Sequence, residues 1–142
     1  MESTITIRAM NIADYEAVFN LWDGMEGIGL STSDERESIA TYLLRNPGLS
    51  LVAVSQGKLI GAVLCGHDGR RGFIHHLAIH PQFRSCGTGS AMVRDCLERL
   101  RKIGIQKCHI FLITGNKSGF DFWKKQGFYL RNDLELMSID LD

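Results

Sequence analysis

The sequence predicts an α/β fold, a mixed and mostly antiparallel sheet with a parallel central pair of strands and helices on both faces. Three observations carry that expectation. Strand-like apolar runs and apolar stripes of helical period follow one another in the order β-α-α-β-β-β-α-β-α-β-β. A glycine-bearing turn, residues 84–89, stands between a strand and a helix. A helix also separates the strands at 72–80 and 107–114, so a right-handed crossover sets those two parallel.

Residues 4–8 read as a first strand, and Asn11 suits the cap of a helix whose Ile12, Tyr15, Phe19 and Trp22 recur at helical spacing. A glycine-dotted loop, 24–30, follows. The run Ser31, Thr32, Ser33, Asp34 then offers caps for a second helix, with Ile39, Tyr42 and Leu43 inward, stopped by Asn46, Pro47 and Gly48. Runs 49–55 and 58–65 meet at Gln56-Gly57 as a hairpin. A turn at 67–70 leads into the strand at 72–80, which Pro81 ends because proline has no N–H to give.

Past the glycine turn, Met92, Val93, Cys96, Leu97, Leu100 and Ile103 form one apolar stripe. Asp95 with Arg99 and Glu98 with Lys102 are spaced as i,i+4 pairs on its wet side. A strand at 107–114 and a helix at about 117–126 follow. Leu130 and residues 134–141 then supply a final hairpin. No repeat or linker interrupts the chain, so 1–142 reads as one domain.

Composition narrows the function classes. Sixteen basic residues balance sixteen acidic ones, which leaves no electrostatic footprint for nucleic acid or an anionic membrane. No apolar run approaches the roughly 20 residues of a membrane span, and the opening MESTITIRAM is not built like a signal peptide. Four cysteines without a CxxC pair suggest neither a disulfide framework nor a zinc site, and a cytoplasmic protein without a metal is expected.

The turn at 84–89 carries the chemistry. Glycine lets a backbone curl tightly and approach a ligand, and the first N–H groups of a helix are unpaired at its positive end. Strand, glycine turn and helix start together suit a phosphate or diphosphate. The P-loop pattern fails because no lysine follows Gly89, and the dinucleotide pattern fails because Met92 stands at the third glycine.

What remains, Arg84-x-x-Gly87-x-Gly89, resembles the Q/R-x-x-G-x-G/A loop that holds the acetyl-CoA diphosphate in the GNAT superfamily of N-acetyltransferases. Two further landmarks strengthen the resemblance, which covers essentially the whole chain. Asn116, Gly127 and Phe128 match the family's closing N-x-x-A-x-x-x-Y-x-x-x-G-F segment, with small Ser118 and Gly119 near its alanine. The run Leu77, Ala78, Ile79, His80, Pro81 is similar to the strand whose main chain pairs with pantetheine. The resemblance implies the GNAT acyl-CoA N-acyltransferase fold and acetyl-CoA as co-substrate. It places Arg84, Ser85, Cys86, Gly87, Thr88 and Gly89 on the diphosphate, Leu77, Ala78 and Ile79 on the pantetheine arm, and Asn116 with the cofactor-binding set.

Acetyl transfer to an amine needs a held thioester, a deprotonated amine and a stabilised oxyanion. Neutralising a lysine-like amine at pH 7 costs about 4–5 kcal/mol, and a histidine base lowers that barrier. Strand alternation puts Phe73, His75, Leu77 and Ile79 on one face and Ile74, His76, Ala78 and His80 on the other. By position His75 resembles the histidine of the serotonin N-acetyltransferase branch, which makes it the candidate catalytic base; the other reading is a structural cleft histidine.

The sequence departs from the family at Trp123, which replaces the tyrosine that usually protonates the leaving thiolate. Phe111 likewise stands where the ribosomal-protein branch carries a glutamate. Tyr129 is a candidate acid, though a structural tyrosine is the plainer reading. Cys86 and Cys108 read as incidental, and His67, Asp68 and His109 as solvated or decorative.

The acceptor site is expected between the loop at 22–32 and the last hairpin. Trp22, Met25 and Ile28 lend it apolar character, and Asp23 and Glu26 negative charge. The expected function is therefore transfer of acetyl from acetyl-CoA to a primary amine of a small molecule or protein, by direct attack in a ternary complex. The alternative is a non-catalytic acyl-CoA-binding sensor or partner module. Acetylation of charged tRNA is disfavoured by the zero net charge. A homodimer is possible.

Overall fold

A computed structural model describes residues 4–141. Its centre is a five-stranded sheet in the order β1-β2-β3-β4-β5, made of β1 (Ile5–Ala9), β2 (Leu51–Ser55), β3 (Lys58–His67), β4 (Gly72–Ile79) and β5 (Cys108–Ile110). The first three pairings are antiparallel, and β4 with β5 is parallel. The crossover that forces this is the long helix α3 (Thr88–Lys102), which follows α1 (Tyr15–Trp22) and α2 (Arg36–Arg45) in the chain and precedes α4 (Lys117–Lys125).

Each face of the sheet buries its own core. Leu51, Ala53, Val63, Cys65 and Ile74 pack against Met92, Val93, Cys96 and Leu100 of α3. Val52, Ala62, Leu64 and Ala78 pack against Val18 and Trp22 of α1 and Ile39 of α2. The α3 stripe follows its sequence period through Leu100, but Ile103 stands just past the helix and is exposed, and Gly104 at φ 91° follows it. Asp95 pairs Arg99 at 2.8 Å as expected. Glu98 instead pairs Arg101, at 2.7 Å, one residue short of Lys102.

Gly66 shows how tightly β3 meets α2. A Cβ there would stand 2.5 Å from the Tyr42 hydroxyl and 2.7 Å from the Asn46 amide, which itself accepts the His67 N–H at 3.0 Å. Gly66→Ala is expected to cost about 2–3 kcal/mol through overpacking, read as a lowered urea midpoint with an unchanged slope.

Two expectations need correcting. The final hairpin does not form: no residue from 128 to 141 lies in a strand, and Leu134, Leu136, Met137, Ile139 and Leu141 are exposed. Residues 134–141 are apolar on both faces, so a strand there needs cover on both sides. Within the described residues no element beyond α4 supplies it. The parallel pair consequently lies at the sheet's edge rather than at its centre.

The second correction concerns alternation along β4. Ala62 faces Ala78 and Leu64 faces His75, so Val63 alone opposes His76 and Leu77, which is a bulge on β4. His76 sits there at φ 55°, left-handed for a residue with a Cβ. The extra residue flips the faces. Ile74 lies in the α3 core while Ala78 lies in the α1–α2 core, and Leu77 and Ile79 pack toward α3. His75 therefore does not share a face with Leu77 and Ile79.

Candidate active site

The site begins where two strands part. Hydrogen bonding between β4 and β5 stops at Ile74 and Ile110, while β4 runs on to Ile79. Over that stretch β4 pairs only β3, and its other edge faces an open cleft of about 930 Å³. One end of the cleft is the glycine turn. Ser85 at φ 65° and Gly87 at φ 81° curl the chain into α3, whose first intrahelical bond runs from the Ala91 N–H to the Gly87 carbonyl at 3.0 Å. The N–H groups of Thr88, Gly89 and Ser90 are thus left without an intrahelical partner, at the positive end of a 15-residue helix.

Most of the residues singled out in the sequence meet on this wall. His75, Leu77, Ala78, Ile79, Arg84, Ser85, Gly87, Thr88, Gly89 and Asn116 all line the cleft. Cys86 does not; it is exposed, its thiol 3.6 Å from the Arg84 carbonyl. Arg84 bends back across the turn. Its Nε donates to the Ile79 carbonyl at 3.3 Å, and its guanidinium reaches Met25 Sδ at 3.0 Å. Asn116 caps α4 by accepting the Gly119 N–H at 3.0 Å. A Cβ at Gly119 would lie 2.5 Å from the Asn116 amide, so glycine lets this cap sit close against the helix.

His75 occupies the other end, in a triangle of rings with Phe73 and Phe111, which are themselves 6.2 Å apart. Phe73 lies 6.2 Å away and Phe111 5.9 Å, both nearly parallel to the imidazole. Burial pushes the His75 imidazole below its usual range; the neighbouring His76 adds to the shift and Asp34 opposes it. A half-buried histidine so placed is neutral at pH 7 and able to accept a proton.

Sequence reasoning missed what fixes the bulge. Trp22 Nε1 donates to the His76 carbonyl at 2.8 Å, and the indole meets the imidazole edge-on at 5.0 Å. His76 Nε2 lies 2.9 Å from Asp34 Oδ1. Asp34 is buried at 4% exposure, and its other oxygen accepts the Ser31 N–H at 3.0 Å in a capping box. Tyr15 closes the cluster by donating to the Asp34 carbonyl at 2.7 Å. The usable signal was the box itself, since its acidic residue keeps a second oxygen free for another partner. Asp34→Ala leaves the Ser31 amide and the His76 ring without their acceptor and is expected to cost about 2–3 kcal/mol, measured by denaturant unfolding.

The remaining candidates fall elsewhere. Trp123 stacks edge-on with Phe122 and Phe128, each 5.2 Å away, and forms wall rather than chemistry. Tyr129 is exposed and borders a different hollow. Burial pushes the Cys108 thiol up to about 12. Asp68 accepts the Arg70 and Arg71 N–H groups in an ordinary turn, and His109 meets Phe73 at a tilt, 5.7 Å between ring centroids.

A strand bulge, a splayed parallel pair and a glycine turn opening a helix form one continuous arrangement, and comparison with known proteins agrees with it. The acetyltransferase (GNAT) family matches residues 15–128. The chain belongs to the GNAT family. Among curated relatives, an acetyltransferase of Pectobacterium atrosepticum is 31% identical over 119 residues, 84% of each chain. Among solved structures, Ard1 from Thermoplasma volcanium aligns with a TM-score of 0.79 at 22% identity, covering 89% of this chain and 84% of the other. The PaiA N-acetyltransferase from Thermoplasma acidophilum, solved with coenzyme A, aligns with a TM-score of 0.77 at 20% identity over 91% and 92% of the two chains. This GNAT chain is an acetyltransferase that uses acetyl-CoA as its co-substrate.

Proposed function

We propose that this cleft holds acetyl-CoA along β4 and passes its acetyl group to a primary amine of a small molecule or protein by direct attack, within a single cytoplasmic domain. One observation supports the reading: beyond Ile74 no strand among the described residues pairs the second edge of β4, and the cleft left there reaches from the N-terminus of α3 to His75. When bound, acetyl-CoA supplies the acetyl group as a thioester.

The chain's own groups do the rest. The amides of Thr88, Gly89 and Ser90 receive the diphosphate, with the Ser85–Gly87 curl bringing the backbone close. The strand edge at Leu77, Ala78 and Ile79, where Arg84 already donates to the Ile79 carbonyl, pairs the pantetheine arm as an added strand pairs a sheet edge. Asn116 holds the far wall through the α4 cap. His75 takes the proton of the attacking amine, directly or through water. No side-chain acid stands at Trp123, and none is required for a thiolate leaving group whose thiol has a pKa of about 8.5.

The acceptor enters between Met25, Glu26 and Ile28 on one side and Phe111 and Ile113 on the other, all of them on the cleft wall. Apolar flanks with one carboxylate suit a small cationic amine over a bulky polyanion. The test has two stages. Calorimetry with coenzyme A and acetyl-CoA asks whether the cleft is a coenzyme site, and absence of heat at millimolar ligand refutes the reading. Thiol release across a panel of amines and peptides then identifies the acceptor.

A further inference from the structure

Two neighbouring histidines of β4 have different surroundings. His75 sits at the aromatic end of the cleft, whereas the His76 ring meets Trp22 and Asp34 on the side of α1 and α2. His76 is also the left-handed residue of the bulge, and such a backbone on a residue with a Cβ persists only where its surroundings over-determine it. Its carbonyl takes the Trp22 indole N–H at 2.8 Å, and its Nε2 lies 2.9 Å from Oδ1 of Asp34, whose side chain is 5% exposed. A carboxylate oxygen accepts, so Nε2 is the donor of a charge-assisted bond shielded from water.

Those two partners are the two ends of one loop. Trp22 is the last residue of α1, and Asp34 caps the turn that starts at Ser31, whose N–H its second oxygen accepts at 3.0 Å. Between them residues 24–30 make only two main-chain bonds among the described residues, from the Met25 N–H to the Trp22 carbonyl at 3.0 Å and from the Ile28 N–H to the Met25 carbonyl at 3.2 Å. The loop nonetheless crosses the cleft. A Cβ on Gly27 would lie 3.1 Å from the Asn116 amide nitrogen, and Met25 Sδ meets the Arg84 guanidinium. With so few bonds of its own, the loop depends on its two ends for where Met25, Glu26 and Ile28 stand.

We propose that His76 is a positioning residue for the acceptor: through its carbonyl and its ring it clasps both ends of the 24–30 loop onto β4 and so sets the acceptor side of the cleft. This rests on the function proposed above, in which Met25, Glu26 and Ile28 form the acceptor wall. His76 takes no proton from the amine, because its Nε2 is committed to Asp34; that step stays with His75. The clasp acts on the acceptor and spares the coenzyme, since β4 beyond the bulge is held by β3 through the Ala62–Ala78 and Gly61–Ile79 pairs. Losing it removes binding that substrate and transition state share, which raises KM and leaves kcat in place.

His76→Asn and His76→Gln are read against each other. Asparagine suits the left-handed backbone but ends one methylene short of Asp34. Glutamine has the reach, and the chain already gives a glutamine this conformation at Gln56, φ 50°. Butylamine, phenethylamine and lysine serve as acceptors, with kinetics taken on the fastest. His76→Asn is expected to raise the acceptor KM by about 10-fold, the loss of one hydrogen bond to a charged group. Its kcat and acetyl-CoA KM should stay within about threefold, and His76→Gln should match wild type. Hydrogen exchange needs no substrate: the Met25, Ile28 and Ser31 amides are expected to exchange about 10-fold faster in His76→Asn, with those of α2 unchanged. Trp22→Phe removes the indole donor, keeps a ring, and is expected to quicken Met25 and Ile28 but not Ser31. Unchanged loop exchange in a folded His76→Asn overturns the proposal, as does a rise in both KM values together or a folded His76→Gln that behaves like His76→Asn. Should His76→Asn not fold, unchanged Met25 exchange in Trp22→Phe overturns it. A wild type that turns over no amine refutes the acceptor reading and with it the acceptor role of His76, while the exchange result still decides the clasp.

Discussion

His75→Ala is expected to lower kcat/KM by about 100- to 1,000-fold, the range a positioned general base contributes, while coenzyme A binding stays within a few-fold. The imidazole stands beyond the pantetheine stretch, beside Phe73 and Phe111, so its loss removes a proton acceptor and leaves the coenzyme's contacts in place. The pH profile is the discriminating readout. Burial holds the His75 pKa below the ordinary 6.5, so the base is deprotonated at neutral pH and kcat/KM falls only as pH drops beneath that value. That acid limb should vanish in the variant. The alkaline rise set by the acceptor amine, whose pKa is near 10 for a lysine-like group, should remain in both. Stability carries the same sign. With the folded-state pKa below the unfolded one, the contribution is present above pH 6.5 and lost as the pH falls through the folded value. A variant with undiminished turnover between about pH 6 and 9 removes His75 from the mechanism.

Gly89→Asp should separate binding from folding. Gly89 is the second residue of α3, and a Cβ there makes only ordinary contact, 3.5 Å to the Phe122 ring. An acidic side chain in a first helical turn favours the helix by a few tenths of a kcal/mol, so thermal stability should hold or rise slightly. The same carboxylate competes for the amides assigned to the diphosphate and repels it. Coenzyme A affinity is expected to fall by about 100-fold, equivalent to ~2.7 kcal/mol, with Gly89→Ala close to wild type. A titration that finds Gly89→Asp within threefold of wild type refutes the diphosphate assignment.

Much of this was legible in the residues because local and global preferences agree. The α3 stripe, the Gln56-Gly57 hairpin, the stop at Pro81 and the turn into Thr88 each follow from chemistry confined to a few neighbours, and each is where the sequence puts it. What escaped depends on partners distant in the chain. The bulge at His76 is invisible to a period-of-two reading, because it is fixed by Trp22 and Asp34, 54 and 42 residues away. That single extra residue sends His75 to one face of the sheet and Leu77 to the other. The tail shows the converse. Its strand-like pattern predicts a final hairpin, but pattern alone does not supply a partner, and among the described residues that pairing is not made.

The parting of β4 from β5 has a consequence for how the protein can change over time. A coenzyme gripped by peptide groups makes little demand on which side chains decorate the grip, provided the strand path and the turn into α3 persist. On the proposed reading acceptor choice falls instead to side chains on the loop at 24–30 and around Phe111, where Met25 touches the Arg84 guanidinium that bonds the Ile79 carbonyl. On that reading the donor is held by main chain and the acceptor by side chains, so new acceptors can be explored by substitution that keeps the Met25–Arg84 contact.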